Sequence, residues 1–530
     1  MALLLVEQFI HKNTILLVGV GINTVKGVKK MSCEVCTKSG PVRGKKEDGV
    51  YKWLGIPYAK KPIVECRFRK AQPVEPWSGV LETVNYGNKP MQIPFMIYNP
   101  DVKESEDCLY LNIWSSGTKE KKPVVFMIFG SAYILGESSM RLYDGTAMAK
   151  DDIVFVNINY RLGVLGCFDF SHLSGNTDGF DDNVSVSDQL EALKWVKENI
   201  EAFGGDPDNI TLMGESTAGC AILNIMACPA ADGMYQKVIL QSPVLGSTVT
   251  PNVGNRNIRA FLEHLGIGEK ELYKLKEMDV KELMDATQWL FGNYSRINPG
   301  IALPGGGMTG GEYIPELPID ALAKGKAKGI KMLIGTNKDE TTFFIHGEDS
   351  NVPYCKEEIE KFFELTNTPA DVREKLRENY GNFETDQQVK DFVRDYLFTY
   401  PATQVADIQS QFADTYMYYF SFEAEPAKSM GFGTHHMAEM AYVLGTVDIS
   451  ELKSFYNKSN LEILKRMESI LHSSWVNFIK YGNPNGEQEE PWPKYDLQNR
   501  MVYEFNETCT KLYNPYDKLI ETMKNLKGYQ

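Results

Sequence analysis

From Ser39 onward, short and nearly uninterrupted apolar runs alternate with stretches whose apolar residues recur at helical spacing. The runs are Pro123–Phe129, Ile153–Tyr160, Asn209–Met213, Lys237–Gln241, Lys331–Ile334, Thr415–Phe422 and Met501–Phe505. A strand with one wet face alternates apolar with polar residues. These mostly do not, so they predict strands covered on both faces. Between the second and third, Leu190, Leu193, Val196, Ile200 and Phe203 share one side of a helix predicted over Asp188–Phe203, which Gly204-Gly205 ends. Strand, crossover helix, strand is the unit of a parallel sheet, because a tight hairpin cannot reach a parallel neighbour. A second long amphipathic helix is predicted over Leu461–Tyr481, stopped by Gly482 and Pro484. No repeat period, charge block or Gly/Ser linker divides the chain, which excludes a solenoid or propeller. The expectation is an α/β fold in a single large domain, with a mostly parallel central sheet and helices on both faces.

The amino terminus does not follow this alternation. Ala2–Val6 and Thr14–Ile22 are apolar, but Glu7, Gln8, His11, Lys12 and Asn13 separate them. Neither approaches the ~20 residues that a spanning helix needs, so no membrane span is expected. The second run, with Lys12 before it, resembles the apolar centre of a signal peptide, yet residues 23–30 offer no good small-residue cleavage site. Residues 1–38 are therefore expected to be an extension to a domain over 39–530, with secretion following only if residues 1–30 act as a signal.

Composition narrows the partners. With 43% apolar and 24% charged residues among 530, the chain has material for a large core, which excludes wholesale disorder. Lys and Arg number 56 against 70 Asp and Glu, a formal charge of −14, which argues against a nucleic-acid surface. The nine cysteines are odd in number and scattered, unlike a disulfide framework or paired metal knuckles, and Cys33-x-x-Cys36 has no second pair. Reduced thiols in an intracellular, cytoplasmic compartment are expected.

The strongest chemical signal is Ile210-Thr-Leu-Met-Gly-Glu-Ser-Thr-Ala-Gly219, a strand running into Gly214-Glu215-Ser216 and then into small residues that open a helical pattern. A serine hydroxyl is a weak nucleophile at neutral pH and must stand clear of the sheet, within reach of a base. A sharp strand-to-helix turn does that. The G-x-S-x-G pattern is met imperfectly, since Ala218 holds its last position and glycine comes one later at 219. Alone, the string is equally a structural turn. Further on, Ile334-Gly-Thr-Asn-Lys-Asp-Glu340 reads as a strand ending in a loop with a carboxylate, and Gly433-Thr-His-His436-Met-Ala-Glu439 precedes an apolar run. Serine, acid, histidine is the chain order of the α/β-hydrolase arrangement. With no ligand cluster beside it, neither a metal nor an organic cofactor is expected.

Over residues 39–515 the chain resembles the type-B carboxylesterase and cholinesterase family. The resemblance rests on Gly40-Pro-Val-Arg-Gly44, Leu54-Gly-Ile-Pro-Tyr-Ala59, Arg67-Phe68, Pro76-Trp77, Ser105-Glu-Asp-Cys-Leu-Tyr-Leu-Asn-Ile-Trp114, Asn159-Tyr-Arg-Leu-Gly163, Asp188-Gln189, Phe203-Gly-Gly-Asp-Pro207, Trp475-Val-Asn-Phe478 and Gly482-Asn-Pro484, in that order. It implies an α/β-hydrolase fold and a serine carboxylesterase acting on small-molecule esters, with Ser216 as nucleophile, His436 as general base and then acid, and Glu340 orienting the imidazole. His436 is preferred to His435 because the family spacing puts glycine three before and glutamate three after the catalytic ring, as Gly433 and Glu439 do. His11, His172, His264, His346 and His472 match no motif and read as ordinary residues. The resemblance also implies that Glu215 tunes local electrostatics and that Arg67 and Glu106 form a buried ion pair.

Several positions depart from the family. Relatives build the oxyanion hole from a run resembling H-G-G-G, which is Phe129-Gly130-Ser131-Ala132-Tyr133 here. By register Ser131, Ala132 and Thr217 supply the backbone N–H groups, with Cβ atoms expected to strain a loop that glycine enters freely. Ala218 is expected to crowd the turn. Residues 182–188 replace a Gly-Asn-x-Gly pattern. Met91 stands where secreted relatives carry the disulfide partner of Cys108, so the chain is similar to the intracellular insect α-esterase branch. Tyr98 stands where cholinesterases use tryptophan as a cation platform, which disfavours a choline ester. Three readings follow: a serine carboxylesterase for xenobiotic, pheromone or lipid-type esters, with a place in detoxification; a weakened relative that binds or sequesters esters or organophosphates; and an adhesion ectodomain. Neither the acyl nor the alcohol preference nor the oligomeric state is written in the sequence.

Overall fold

A computed structural model of the protein describes residues 33–94, 99–174, 179–298, 305–345, 352–456, 460–486 and 491–526. The apolar runs at residues 2–22, Tyr98, His11 and His346 lie outside the described residues.

Each apolar run read as a strand is one. In chain order the strands are β1 (Glu34–Thr37), β2 (Gly40–Arg43), β3 (Lys45–Glu47), β4 (Val50–Pro57), β5 (Leu81–Glu82), β6 (Tyr110–Ser115), β7 (Lys122–Ile128), β8 (Val154–Ile158), β9 (Gly205–Glu215), β10 (Lys237–Gln241), β11 (Lys331–Asn337), β12 (Thr415–Phe420), β13 (Val502–Phe505) and β14 (Thr510–Leu512). All but β1, β2 and β5 form one 11-stranded sheet in the order β14-β13-β12-β11-β10-β9-β7-β8-β6-β4-β3. From β13 to β8 every pairing is parallel, while β6, β4, β3 and β14 are attached antiparallel. Every residue of β8 and β10 is buried, as strands covered on both faces require. The hairpin of β1 with β2 straddles the expected boundary at residues 38 and 39.

The helix Leu461–Tyr481 has the predicted bounds. Asn460 caps its amino end by accepting from the Glu462 N–H, and Gly482 closes it in the left-handed conformation at φ 68°. Leu464, Met467, Leu471, Trp475 and Phe478 form its buried face. The helix predicted over Asp188–Phe203 starts earlier, running as an α-helix over Val184–Asn199 and ending in a 3-10 turn over Ile200–Phe203. Ser185 and Ser187 are buried there, so its first turn carries no apolar period to read. Asn183, the residue of the Gly-Asn-x-Gly pattern that is retained, is left-handed at φ 49°, and nothing in the structure explains Asp182 and Ser185 at the two glycine positions. Its side chain accepts from the Met308 N–H at 2.8 Å and donates to the Met308 carbonyl at 2.9 Å, tying the loop before Met308 to this helix.

Away from the main core, the helices Lys356–Leu365, Ala370–Tyr380 and Asp386–Arg394 enclose a separate apolar cluster that includes Phe362, Phe363, Phe392 and Phe398. Arg67 and Glu106 form the expected pair through Nε to Oε2 at 2.7 Å and Nη2 to Oε1 at 2.5 Å. Nη1 also donates to the carbonyls of Lys276 and Met278, at 3.0 and 2.7 Å. Glu106→Ala leaves that guanidinium without its counter-charge, and a loss of about 3 kcal/mol in unfolding free energy, read from urea denaturation, is the expected outcome.

Candidate active site

Loops from three neighbouring parts of the sheet meet above the carboxyl ends of β9, β11 and β12, where a parallel sheet leaves room for a ligand. Ser216 follows β9 directly and sits at φ 61°, ψ −127°, a conformation an L residue holds only when its surroundings impose it. Its N–H donates to the Gln241 carbonyl at 2.8 Å, and its own carbonyl accepts from Gly219 at 3.0 Å and Val244 at 3.3 Å. Close approach dictates the glycines here. A Cβ on Gly214 would lie 2.8 Å from the Ala218 Cβ, and one on Gly219 would lie 2.7 Å from the Pro243 Cβ. The methyl of Ala218, expected to crowd the turn, fits because position 214 is glycine.

Glu340 opens a 3-10 turn just after β11, and His436 lies in the loop that follows β12. The two loops are stitched together. Asp339 and His435 form a parallel bridge, the Asp339 N–H donates to the Thr434 carbonyl at 3.0 Å, and the Thr434 N–H returns to Asp339 Oδ2 at 2.9 Å. Glu340 Oε2 then meets Nδ1 of His436 at 2.5 Å. Its Oε1 accepts from Ser242 Oγ at 2.5 Å and from the Asn337 N–H at 2.7 Å. Beneath this contact, Glu439 accepts from Gln241 Nε2 at 2.8 Å, Tyr418 O–H at 3.1 Å and Asn337 Nδ2 at 2.6 Å. Burial pushes the Glu439 carboxyl above its ordinary value.

The adjacent histidines differ in kind. His435 faces the His436 carbonyl through Nδ1 at 2.6 Å and packs against Phe343 and Phe455, and burial pushes its pKa down to about 4. It is a neutral packing residue. For His436 burial also opposes the charged form, but the carboxylates of Glu215 and Glu340 outweigh it and hold the ring above its ordinary value. Nε2 of His436 lies 2.9 Å from Oε1 of Glu215 and makes no hydrogen bond, so the expected bond to Ser216 is not formed in this structure. Catalytic hydrogen bonds often tighten only when substrate binds. Burial pushes Glu215 up to about 7, against the pull of His436. Glu215 was read as tuning electrostatics, and it does so by direct contact with the ring.

The run before Tyr133 carries the expected strain. Ser131, Ala132 and Tyr133 are consecutive non-glycine residues at φ 86°, 60° and 61°. Tyr133 anchors the run: its O–H donates to the Thr217 carbonyl at 2.7 Å, and its own carbonyl accepts from the Gly163 N–H at 2.7 Å. Thr217 is the first residue of the helix Thr217–Ala227, whose opening N–H groups have no partner within the helix. Phe344 and Phe398 stand beside the imidazole, at ring-centroid distances of 5.1 and 5.0 Å.

Sequence reasoning missed Gln241, Ser242, Asn337 and Tyr418. The only signal for the first two was a polar pair closing an otherwise apolar strand. Among the histidines without a motif, His264 stacks on Trp289 at 4.0 Å, His472 links the Val443 carbonyl to Asp151, and His172 lies 3.6 Å from Asp169. Among the described residues no three His, Cys, Asp or Glu side chains are grouped to hold a metal ion, and no helix is long and apolar enough to cross a membrane.

Comparison with known proteins adds a family to this geometry. The sequence model of the Carboxylesterase family matches residues 31–522. A para-nitrobenzyl esterase of Bacillus subtilis is 37% identical over 501 residues, covering 93% of this chain and 99% of that protein. A phenmedipham hydrolase of Pseudarthrobacter oxydans is 28% identical over 88% of this chain and 93% of its own. Among solved structures, a thermophilic PNB esterase superposes with a TM-score of 0.83 at 34% identity, covering 92% of this chain and 99% of that one. A carboxylesterase of Geobacillus stearothermophilus reaches 0.79 at 30% identity, over 94% and 100% of the two chains.

The left-handed run has a measurable cost. Ala132→Gly removes a Cβ from a φ of 60°, and a gain of about 1 kcal/mol in unfolding free energy is expected from denaturant titration.

Proposed function

The chain belongs to the carboxylesterase family, has the α/β-hydrolase fold and is a carboxylic ester hydrolase, and we propose that its chemistry runs through Ser216, His436 and Glu340. Ser216 Oγ attacks the ester carbonyl while Nε2 of His436 takes its proton. The imidazolium then passes that proton to the departing alcohol, leaving the acyl group on Ser216. Water deprotonated by the same ring attacks the acyl-enzyme and releases the acid. The N–H groups of Ser131, Ala132 and Thr217 receive the negative oxygen, an arrangement in which one donor is worth about 10²–10³ in rate. The observation that carries this reading is the 2.5 Å contact of Glu340 with Nδ1 of His436, which makes Nε2 the nitrogen that takes the serine proton once it leaves Glu215.

Small esters are the substrates, with xenobiotic, pheromone and lipid-type esters as the classes to test and no cofactor in any step. Met91, standing where secreted relatives hold the partner of Cys108, supports an intracellular site of action. Slow turnover with sequestration is the second reading, and the position of Nε2 beside Glu215 favours it. A stoichiometric burst with very slow release separates it from an esterase turning over tens of times per second.

Two measurements test the proposal. Intact-mass labelling with a fluorophosphonate is expected to add one adduct to the native chain and none to Ser216→Ala; labelling of that variant overturns the assignment. The second concerns pH. The base works only when neutral, so the acid limb of kcat/KM follows the imidazole, and a neighbouring carboxylate raises that limb. Glu215→Gln removes one such charge, and the limb is expected to move to lower pH.

A further inference from the structure

The chain passes from Asp386 to Gln409 as one helical rod with a flaw in it. Residues Asp386–Arg394 and Tyr400–Gln409 are α-helical, but Asp395–Thr399 form a π turn in which the Tyr400 N–H donates to the carbonyl of Asp395, five residues back. Pro401 lies immediately beyond. It has no N–H to give to Leu397, and in an unbroken α-helix its ring would collide with the Leu397 carbonyl. The wider π turn relieves that collision and also inserts a residue into the helical phase. Removing that insertion rotates the preceding side chains by roughly 100° relative to the helix that follows.

One of the turn's residues is Phe398. It is 2% exposed, its ring lies 5.0 Å from the His436 ring, and it stacks on Phe344 at 6.2 Å with 15° between planes, while Phe344 itself lies 5.1 Å from His436. The two phenyl groups thus clasp one side of the imidazole. Turns of the π type are rare and are found mostly at functional sites.

We propose that Pro401 is a positioning residue for ester hydrolysis: by forcing the π turn at Asp395–Thr399 it holds Phe398 against His436, where the ring keeps water from the imidazole and limits the bulk of the acyl group that can stand beside it. The proposal rests on the reading of His436 as the base. Pro401 itself touches no reacting atom and acts through Phe398. Relaxing the turn opens space beside the ring, so esters of bulky acids gain over acetate. It also admits water, which favours the charged imidazole. Glu215 and Glu340, the carboxylates facing that ring, and the neighbouring His435 and Glu439 are unchanged.

The test uses the full chain, p-nitrophenyl acetate and p-nitrophenyl benzoate, with native protein, Pro401→Ala, Phe398→Ala and the double variant, each checked first by fluorophosphonate labelling of Ser216. Expected are a shift of at least about tenfold in the benzoate-to-acetate ratio of kcat/KM for both single variants, an acid limb moved to higher pH in both, and a double variant no further displaced than Phe398→Ala alone. A ratio and limb left at native values by Pro401→Ala while Phe398→Ala moves them, or additive effects in the double variant, overturns it. Should Pro401→Ala not fold, Pro401→Val takes its place. Failure of both assigns the proline to stability and overturns the proposal as well. Native protein that is not labelled at Ser216 defeats the esterase reading itself, whereas normal labelling with an unmoved acyl preference defeats this inference alone.

Discussion

Two ionisable side chains, Glu340 and His436, meet at 2.5 Å with almost no solvent on either, and the carboxyl end of the sheet is organised around that contact. A carboxylate so buried is tolerable only if its oxygens are all occupied. They are: Oε2 by the ring itself, and Oε1 by donors from two sources, Ser242 beyond β10 and the Asn337 main chain ending β11. What brings these donors to one point is strand register. Gln241 stands opposite Gly335, and Asn337 opposite Phe420, so the loops after three adjacent strands leave the sheet at one level. A slip of one residue would turn these side chains to the other face. Asn337 also couples two acids, giving its main-chain N–H to Glu340 and its side-chain amide to Glu439.

Left-handed backbone gathers around the nucleophile. Ser216 and the three residues Ser131–Tyr133 all have positive φ, and none is glycine. Such conformations survive only when the surroundings over-determine them. The hydrogen bond from the Ser216 N–H to the Gln241 carbonyl and the two anchors of Tyr133 do that here. A single side chain, Tyr133, therefore links the left-handed run to the first residue of the helix after the nucleophile.

Legibility in the sequence followed what is periodic or locally motif-bearing. The buried strands were readable because continuous apolar runs with helices between them have few other uses, and the helix Leu461–Tyr481 because its period and its glycine stop are both explicit. The helix start at Val184 was not, because its first turn is buried all round, Ser185 and Ser187 along with Val184 and Val186, and so shows no amphipathic period. At the site, Ser216 and Glu340 declared themselves through their strand ends, and His436 through glycine and glutamate at fixed offsets. Ser242, Asn337 and Tyr418 did not, since their side-chain bonds to Glu340 and Glu439 span 98, 102 and 21 positions and leave no local pattern. The contact of Glu215 with Nε2 was equally hidden. The motif places a glutamate next to the serine, but only the folded loops determine which atom it faces.

That contact gives the imidazole an asymmetric environment. On its Nδ1 side stands a carboxylate whose oxygens are fully engaged by Ser242, Asn337 and the ring itself. On its Nε2 side stands Glu215, whose two oxygens have no hydrogen-bond partner and whose carboxyl burial has already pushed up to about 7. A carboxylate without donors is costly to keep charged in a dry pocket, so Glu215 takes up a proton more readily than an ordinary glutamate, and once protonated it no longer pulls on the ring by charge. The imidazole thus meets at Nδ1 an acid shared with other donors, and at Nε2, 2.9 Å away, an acid with none, beside the residue that follows Glu215 in the chain. The proton transfer proposed for Ser216 therefore requires Nε2 to give up its 2.9 Å contact with Glu215. The same asymmetry makes Glu215, rather than Glu340, the acid whose charge decides how readily Nε2 is released.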